Sequence, residues 1–63
     1  MKFKKFRNSK EYCKANKIQI FDGDGIEYTG SPESLDDLEV ESHAWSLLED
    51  GLLIIRIKSK RRH

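Results

Sequence analysis

Residues 17–30 read KIQIFDGDGIEYTG and combine two strand-like runs with a glycine-rich turn signal. Alternation of apolar and polar residues on both sides of the turn predicts a β-hairpin. A three-residue loop over residues 23–25 would pair Ile20 with Tyr28 and place Gly25 at a left-handed position, which glycine favours. That register gathers four apolar side chains on one face: Ile18, Ile20, Ile26 and Tyr28. A two-residue turn would scatter them, so we predict the three-residue loop.

A second hairpin follows over residues 40–58, where the apolar pattern again has a period of two. Asp50-Gly51 is a strong signal for a two-residue turn, and such a turn would place Leu48 opposite Leu53. The other face would then be unusually apolar for a sheet that meets water. With Phe21 of the first hairpin at its edge, this predicted apolar face consists of Phe21, Trp45, Leu47, Leu52, Ile54 and Arg56. Either a helix covers it, or it is a self-association or partner surface.

Two short helical segments complete the predicted fold. Asn8 and Glu11 form a capping-box pattern, which predicts a helix over residues 8–16. Ser31-Pro32 predicts the start of a short helical turn that crosses between the hairpins. The fold class is therefore α+β: a four-stranded antiparallel sheet made of two β-hairpins, a short N-terminal helix and a crossing turn. We expect one domain over residues 1–63, with flexible basic ends at 1–7 and 59–63.

The small size of the chain limits how it can be stabilised. A domain of 63 residues buries only about 60% of the surface of its unfolded chain. Cys13 is the only cysteine, so an internal disulfide cannot form. Self-association is the remaining means of stabilisation, and a monomer with a thin core is the alternative. A lone thiol without an export signal predicts a cytoplasmic protein, and the short apolar runs predict no membrane span.

Charge is unevenly distributed although the net charge is only +1. Residues 1–21 carry seven Lys or Arg and one acid, residues 22–50 carry ten acids and no Lys or Arg, and residues 51–63 carry five Lys or Arg. Such blocks either neutralise one another in the fold or form a bipolar surface. The candidate acidic surface consists of Asp22, Asp24, Glu33, Asp36 and Asp37. The candidate nucleic-acid contacts, in which aromatic rings stack on bases, are Phe3, Lys4, Lys5, Phe6, Arg7, Lys60, Arg61 and Arg62.

No catalytic, metal or cofactor pattern accompanies these features. The DGDG segment over residues 22–25 begins like a calcium-binding EF-hand loop, but Ile26 and Glu27 stand where the pattern requires an oxygen ligand and a glycine. Cys13 has no base and orienting group in the sequence around it. His43 and His63 lack a second ligand at metal spacing. We therefore predict a non-enzymatic protein with no metal and no cofactor.

The motifs also carry a resemblance. Residues 18–25, IQIFDGDG, are followed by Tyr28-Thr29-Gly30 and by a late strand–DG–strand hairpin over residues 40–58. In this the chain resembles very small proteins carried by phages and mobile elements of Gram-positive bacteria. Some proteins of this size class look like anti-defence factors, among them anti-CRISPR inhibitors of Cas nucleases. The resemblance implies action in the cytoplasm of a host cell, and it carries over no known site residue.

Three functions are compatible with these patterns. The first is an inhibitor or adaptor that binds a host protein stoichiometrically, through the predicted apolar face or through acidic residues that imitate a phosphate backbone. The second is a small nucleic-acid-binding oligomer that uses the basic ends. The third is a sponge that cages a nucleotide signal at a subunit interface. We predict the first function and retain the other two as alternatives.

Overall fold

Four strands form one mixed sheet in a computed structural model that describes residues 1–58. The strands are β1 (Lys17–Phe21), β2 (Glu27–Tyr28), β3 (Val40–Trp45) and β4 (Leu52–Ile57). The helical segments are α1 (Phe3–Arg7), α2 (Lys10–Lys14) and a 3-10 turn (Pro32–Leu35). The predicted α+β class is confirmed.

The sheet has the strand order β2-β1-β4-β3, and its central pair is parallel. The prediction of a purely antiparallel sheet is therefore wrong. β4 is the most apolar strand and is buried along most of its length, so it requires a neighbour on each side. Parallel pairing puts Ile18 beside Leu53 and Ile20 beside Ile55, which brings the apolar residues of both hairpins onto one face.

The first hairpin has the predicted register. Ile20 lies opposite Tyr28, and the Asp22 N–H donates to the Ile26 carbonyl at 3.0 Å. Gly25 has φ +83°, the left-handed conformation expected at this position. Ile26 does not join the buried face, because this residue, just before β2, is 64% exposed.

The second hairpin differs from the prediction. Trp45, not Leu48, lies opposite Leu53, and a loop over residues 46–51 replaces the two-residue turn. From Ser42 to Trp45 the register has moved by three residues, which is an odd number, so these side chains change face. The bulge before Ser42 leaves Val40 on the face of Ile57. Trp45 now lies on the same side as buried Leu53, while Ala44 shares the opposite face with Ile54.

The N-terminal segment is helical instead of flexible. Phe3 and Phe6 lie three positions apart on α1, and both rings are buried against the sheet. The Phe3 N–H donates to the Leu38 carbonyl at 2.7 Å, which fixes the segment to the chain that precedes β3. α2 is capped by Ser9, whose hydroxyl accepts from the Tyr12 N–H, whereas the prediction placed the cap at Asn8.

All helical segments pack on one face of the sheet. The core there is formed by seven buried side chains: Phe3, Phe6, Ile20, Leu35, Leu53, Ile55 and Ile57. Burying a large apolar side chain stabilises a protein by about 1.5–3 kcal/mol, so this layer accounts for most of the favourable packing. The opposite face, which carries Ala44, Ile54 and Arg56, has no helical segment over it in the described part of the chain. Neither α1 nor α2 nor the 3-10 turn has the length and apolar content that crossing a membrane would require.

Candidate protein-binding site

Two leucines protrude from the loop between β3 and β4. Leu47 and Leu48, called here the leucine tip, are each 99% exposed. Nearby Trp45, the last residue of β3, is 39% exposed. Burying a leucine is worth about 1.5–3 kcal/mol, so the folded chain gains almost none of the free energy that these two side chains could supply.

A network of hydrogen bonds holds the loop in place. The Ser46 hydroxyl accepts from the N–H groups of Leu48 and Glu49 at 3.0 and 3.1 Å. The Leu52 N–H donates to the Glu49 carbonyl at 3.3 Å, and the Ser46 N–H donates to the Leu52 carbonyl at 2.9 Å. These bonds close the loop over Leu47 and Leu48, whose side chains point to solvent.

Gly51 connects the loop to the first strand. Its carbonyl accepts from the N–H groups of Asn16 and Lys17 at 2.8 and 3.1 Å. Its φ is +80°, and a Cβ there would lie 2.5 Å from the side-chain nitrogen of Asn16, so only glycine fits without displacement. Lys17 also forms an exposed ion pair with Glu49 at 3.1 Å. The leucine tip is therefore displayed on a loop fastened to the start of β1.

The predicted apolar face is divided by the new register. Leu47 belongs to the leucine tip, and Trp45 lies on the helical side of the sheet, where His43, two residues earlier, contacts the Phe6 ring at 4.7 Å. Leu52 is buried. The remaining members are on the uncovered face, namely Phe21, Ile54 and Arg56. The prediction that all six form one surface is wrong, because it depended on the two-residue turn.

The uncovered face is a shallow surface with a polar rim. Phe21 and Ile54 are half-buried there and line an open depression with Ala44 and Arg56. The Arg56 guanidinium donates to the Gly23 carbonyl at 3.2 Å and pairs with Glu41 at 3.3 Å. Its cationic group is thereby held across the edge of the depression.

The blocks of opposite charge largely face one another. Ion pairs within 4 Å join the basic N-terminal block, or Arg56, to the acidic block: Lys2–Glu39, Arg7–Asp36, Lys17–Glu49 and Arg56–Glu41. The Arg7–Asp36 pair is bidentate at 3.0 and 2.9 Å. The Arg7 guanidinium lowers the pKa of the Asp36 carboxyl through this hydrogen bonding. These contacts favour mutual neutralisation over a bipolar surface.

Residues of the candidate acidic surface have partners within the chain, and the contacts of Asp22, Glu33 and Asp36 show where such carboxylates are directed. The Asp22 carboxylate accepts from the N–H groups of Asp24 and Ile26, which closes its own turn. The Ser31 hydroxyl hydrogen-bonds to Glu33 and lowers the pKa of that carboxyl. Asp36 binds Arg7. A surface that imitates a phosphate backbone needs carboxylates directed at a partner, and these three are directed inward or along the chain.

The candidate nucleic-acid contacts are also separated. The rings of Phe3 and Phe6 are in the core and cannot stack on bases, and Arg7 is paired with Asp36. Lys4 and Lys5 are exposed. Lys60, Arg61 and Arg62 lie outside the described residues.

The turns, Cys13 and His43 were considered in the sequence as possible chemical sites. No group of three or more His, Cys, Asp or Glu side chains within residues 1–58 could hold a metal ion. Cys13 is an exposed free thiol on α2, and His43 lies 3.4 Å from Glu11. A depression of about 560 Å³ lies between the first turn and the 3-10 turn, and it includes Asp22 and Glu27 beside Lys58. Its two carboxylates disfavour an anionic nucleotide, so it gives no support to the nucleotide sponge.

The leucine tip contains one residue that sequence reasoning missed. The predicted two-residue turn placed Leu48 opposite Leu53, whereas Leu48 is fully exposed in the loop. The sequence does contain a signal for this loop. Ser46-Leu47-Leu48-Glu49 matches the S-x-x-E pattern, in which the serine side chain accepts from the N–H three residues later.

The fold and the tip define a two-layer α+β protein with an exposed apolar loop. Comparisons of the chain with protein-family models, with curated proteins and with solved structures found no match.

Proposed function

We propose that this is a small non-enzymatic binding protein that acts by stoichiometric binding to another protein, with the leucine tip as its anchor. The observation that carries this proposal is the full exposure of Leu47 and Leu48 on a hydrogen-bonded loop. In the interpretation that the resemblance suggests, the partner is a host protein and the chain is an inhibitor or adaptor.

Order in the loop supports this role. A binding loop that is already held in its bound conformation loses little conformational entropy on association. The leucine tip meets this condition, because Ser46 closes the turn and Gly51 bonds to β1. Apolar anchors that fill a pocket at the centre of an interface commonly dominate its binding free energy. A partner with an apolar pocket wide enough for two leucines fits this tip.

The test compares two exposed tips of the same molecule. The Leu47→Ser/Leu48→Ser variant removes the proposed anchor, and Ile26→Ser removes the exposed apolar residue of the other hairpin turn. Each variant and the wild type are immobilised and exposed to host lysate, and retained proteins are quantified. We expect a protein that is retained by the wild type and by Ile26→Ser and lost from the double variant.

The size of the effect follows from burial. Two leucines worth about 1.5–3 kcal/mol each correspond to a loss in affinity of at least about 100-fold once the partner is purified. Circular dichroism must show that the double variant is folded. Equal retention of every protein by the wild type and the folded double variant would contradict the proposal.

Binding to nucleic acid is the second candidate function. Four lysines on α1 and α2 are exposed, and none takes part in the ion pairs found in the described part of the chain: Lys4, Lys5, Lys10 and Lys14. Contacts from these lysines to phosphates would release counterions, so affinity for DNA or RNA would fall steeply with salt. Fluorescence anisotropy at 50 and 200 mM salt, with all four lysines changed to glutamine as the control, tests this candidate. Binding that the quadruple variant retains would exclude the lysines as the contact.

A further inference from the structure

The outer edge of β3 exposes backbone groups in a defined pattern. The Ser46 N–H donates to the Leu52 carbonyl, which fixes the alternation of the ladder between β3 and β4. In the same register Ala44 lies opposite Ile54, so the N–H and C=O of Ala44 are directed at β4. The N–H and C=O groups of His43 and Trp45 are therefore directed away from β4, toward the open edge.

Only the beginning of this edge is covered. The Val40 N–H donates to the Met1 carbonyl at 2.8 Å, and Lys2 forms a bridge with Glu39. A bulge between Val40 and Ser42 then bends the strand. Proteins commonly protect an edge strand with lysine, proline, a bulge or a covering segment. From Ser42 to Trp45 the strand has no lysine and no proline, its residues are exposed, and the described part of the chain places no strand beside it.

We propose that this edge pairs with a second copy of the chain, β3 antiparallel to β3, with a two-fold axis at Ala44. His43 of one copy then lies opposite Trp45 of the other, and each such pair exchanges two N–H···O bonds. Pairing about this axis thus forms about four backbone hydrogen bonds. Their donors and acceptors have no partner strand in the described part of a single chain.

Side chains in this register fit a symmetric pair. Ala44 meets Ala44 of the other copy at a position without hydrogen bonds, where the Cα atoms of paired strands are only about 4.5 Å apart and small residues are favoured. Trp45 and His43 form a cross-strand ring pair on the helical side. Ser42 faces Ser46, so no two like charges are placed opposite each other.

The pair would join two four-stranded sheets into one of eight strands. Each leucine tip follows the end of β3, so the two tips of the dimer would lie on opposite sides of the two-fold axis. Such a dimer would be bivalent toward a partner of the leucine tip. The proposal of this dimer rests only on the exposed edge of β3, and it does not depend on the proposed function.

The test of this dimer places charged side chains at its two-fold axis. Ala44→Lys and Ala44→Glu each place two like charges opposite each other in a dimer, whereas Ala44 is exposed in the single chain and tolerates both. We expect each variant alone to raise the dimer dissociation constant by more than about tenfold. An equimolar mixture of the two should restore dimers with one copy of each, at least as tight as the wild type. Sedimentation velocity over a range of concentrations measures dimer formation by each variant alone and by their mixture.

Two further variants separate this interface from others. Ser42→Glu adds a charge to the same strand and face but away from the axis, so it should dimerise like the wild type. Leu47→Ser/Leu48→Ser should dimerise normally even though it removes the leucine tip. A wild type that is monomeric up to about 1 mM overturns the proposal. The proposal is also overturned if the mixture of Ala44→Lys and Ala44→Glu fails to restore dimers. A dimer that is lost in the leucine variant but kept in Ala44→Lys would overturn it as well.

Hydrogen exchange locates the contact. The amides of His43 and Trp45 should exchange more slowly as protein concentration rises, because they become bonded only in the dimer. The Ala44 amide is directed at β4 and should be protected equally at every concentration. Concentration-independent exchange at His43 and Trp45 in a sample that dimerises would overturn the β3 pairing.

Discussion

The two hairpin turns are built by the same means and present different surfaces. In the first turn, a carboxylate oxygen of Asp22 accepts hydrogen bonds from two backbone N–H groups. In the second turn, the hydroxyl oxygen of Ser46 does the same. Each also contains a glycine with φ near +80°, Gly25 and Gly51. The first turn presents carboxylates and one isoleucine, whereas the second presents two fully exposed leucines.

Their difference lies in what surrounds them. A Cβ added at Gly25 would have no atom within 4 Å, whereas one at Gly51 would collide with Asn16. The Gly51 carbonyl also receives two N–H groups from the segment that leads into β1. The first turn is a local structure, and the second is a junction between two parts of the chain. An exposed apolar tip on a fastened junction is consistent with the binding role proposed above, because its exposure does not arise from a loose loop.

The largest predicted difference is between the two glycines. Gly51→Ala forces alanine into a left-handed conformation and pushes against Asn16, so we expect a loss of about 2–3 kcal/mol in the free energy of unfolding. Gly25→Ala has the same conformational cost without the collision and should lose about 1–2 kcal/mol. Urea titrations of both variants measure this. Equal losses of unfolding free energy in the two variants would mean that the second turn depends on contacts with the rest of the chain no more than the first does.

The turn-closing side chains come next. Ser46→Ala and Asp22→Ala each leave two N–H groups without their acceptor, and each should cost about 1 kcal/mol. Ser46→Thr and Asp22→Asn keep an acceptor oxygen and serve as controls. The alanine variants should speed amide exchange only in their own turn, at Leu48 and Glu49 for Ser46→Ala. Faster exchange in both turns would show that they are coupled.

The exposed apolar residues should matter least for folding. Leu48→Ser should change the free energy of unfolding by no more than about 0.5 kcal/mol, because the side chain has no neighbours to lose. Ile26→Ser should cost slightly more, since a third of its side chain is covered. Thermal unfolding followed by circular dichroism compares them. A loss above about 1 kcal/mol for Leu48→Ser would show that the tip is packed and not free to bind.

Acid should weaken the pair that joins α1 to the segment after the 3-10 turn. Arg7 lowers the pKa of Asp36, so the folded state binds a proton at this site less readily than the unfolded state. The pair therefore stabilises the fold above the unfolded pKa of about 3.9, and this contribution is lost as pH falls through the lower folded pKa. Asp36→Asn should flatten the acid limb of a stability-against-pH curve slightly, with Glu33 and Glu39 still contributing to it. An unchanged acid limb would exclude this contribution from Asp36.

The first hairpin was predictable because its side chains permit only one arrangement. Ile18, Ile20 and Tyr28 share a face only when the loop has three residues, so alternation alone selects the register. The second hairpin has leucines on both sides of Asp50-Gly51, and several registers bury some of them. The observed register depends on Ser46 and on the bonds from Asn16 and Lys17 to Gly51. The second of these is a tertiary contact that a local pattern does not encode.

The candidate site was predictable only in part. Leu47 was expected at a partner surface and belongs to the leucine tip, but the rest of the predicted apolar face followed from the two-residue turn and was redistributed with it. Phe3 and Phe6 appeared to be free aromatics among lysines, although their spacing of three also fits one face of a short helix. Whether such a face docks depends on the sheet beneath it. Parallel pairing of β1 with β4 likewise joins strands that are distant in the sequence.

That parallel pair also bears on biosynthesis. Of the four described strands, β4 comes last in the sequence, yet it lies in the middle of the sheet between β1 and β3. Until Leu52–Ile57 has left the ribosome, the first hairpin and β3 have no common neighbour, and Phe3 and Phe6 lack the Leu53 and Ile55 side of their core. The four-stranded sheet therefore forms only once β4 is available to join the first hairpin to β3, which are not paired with each other.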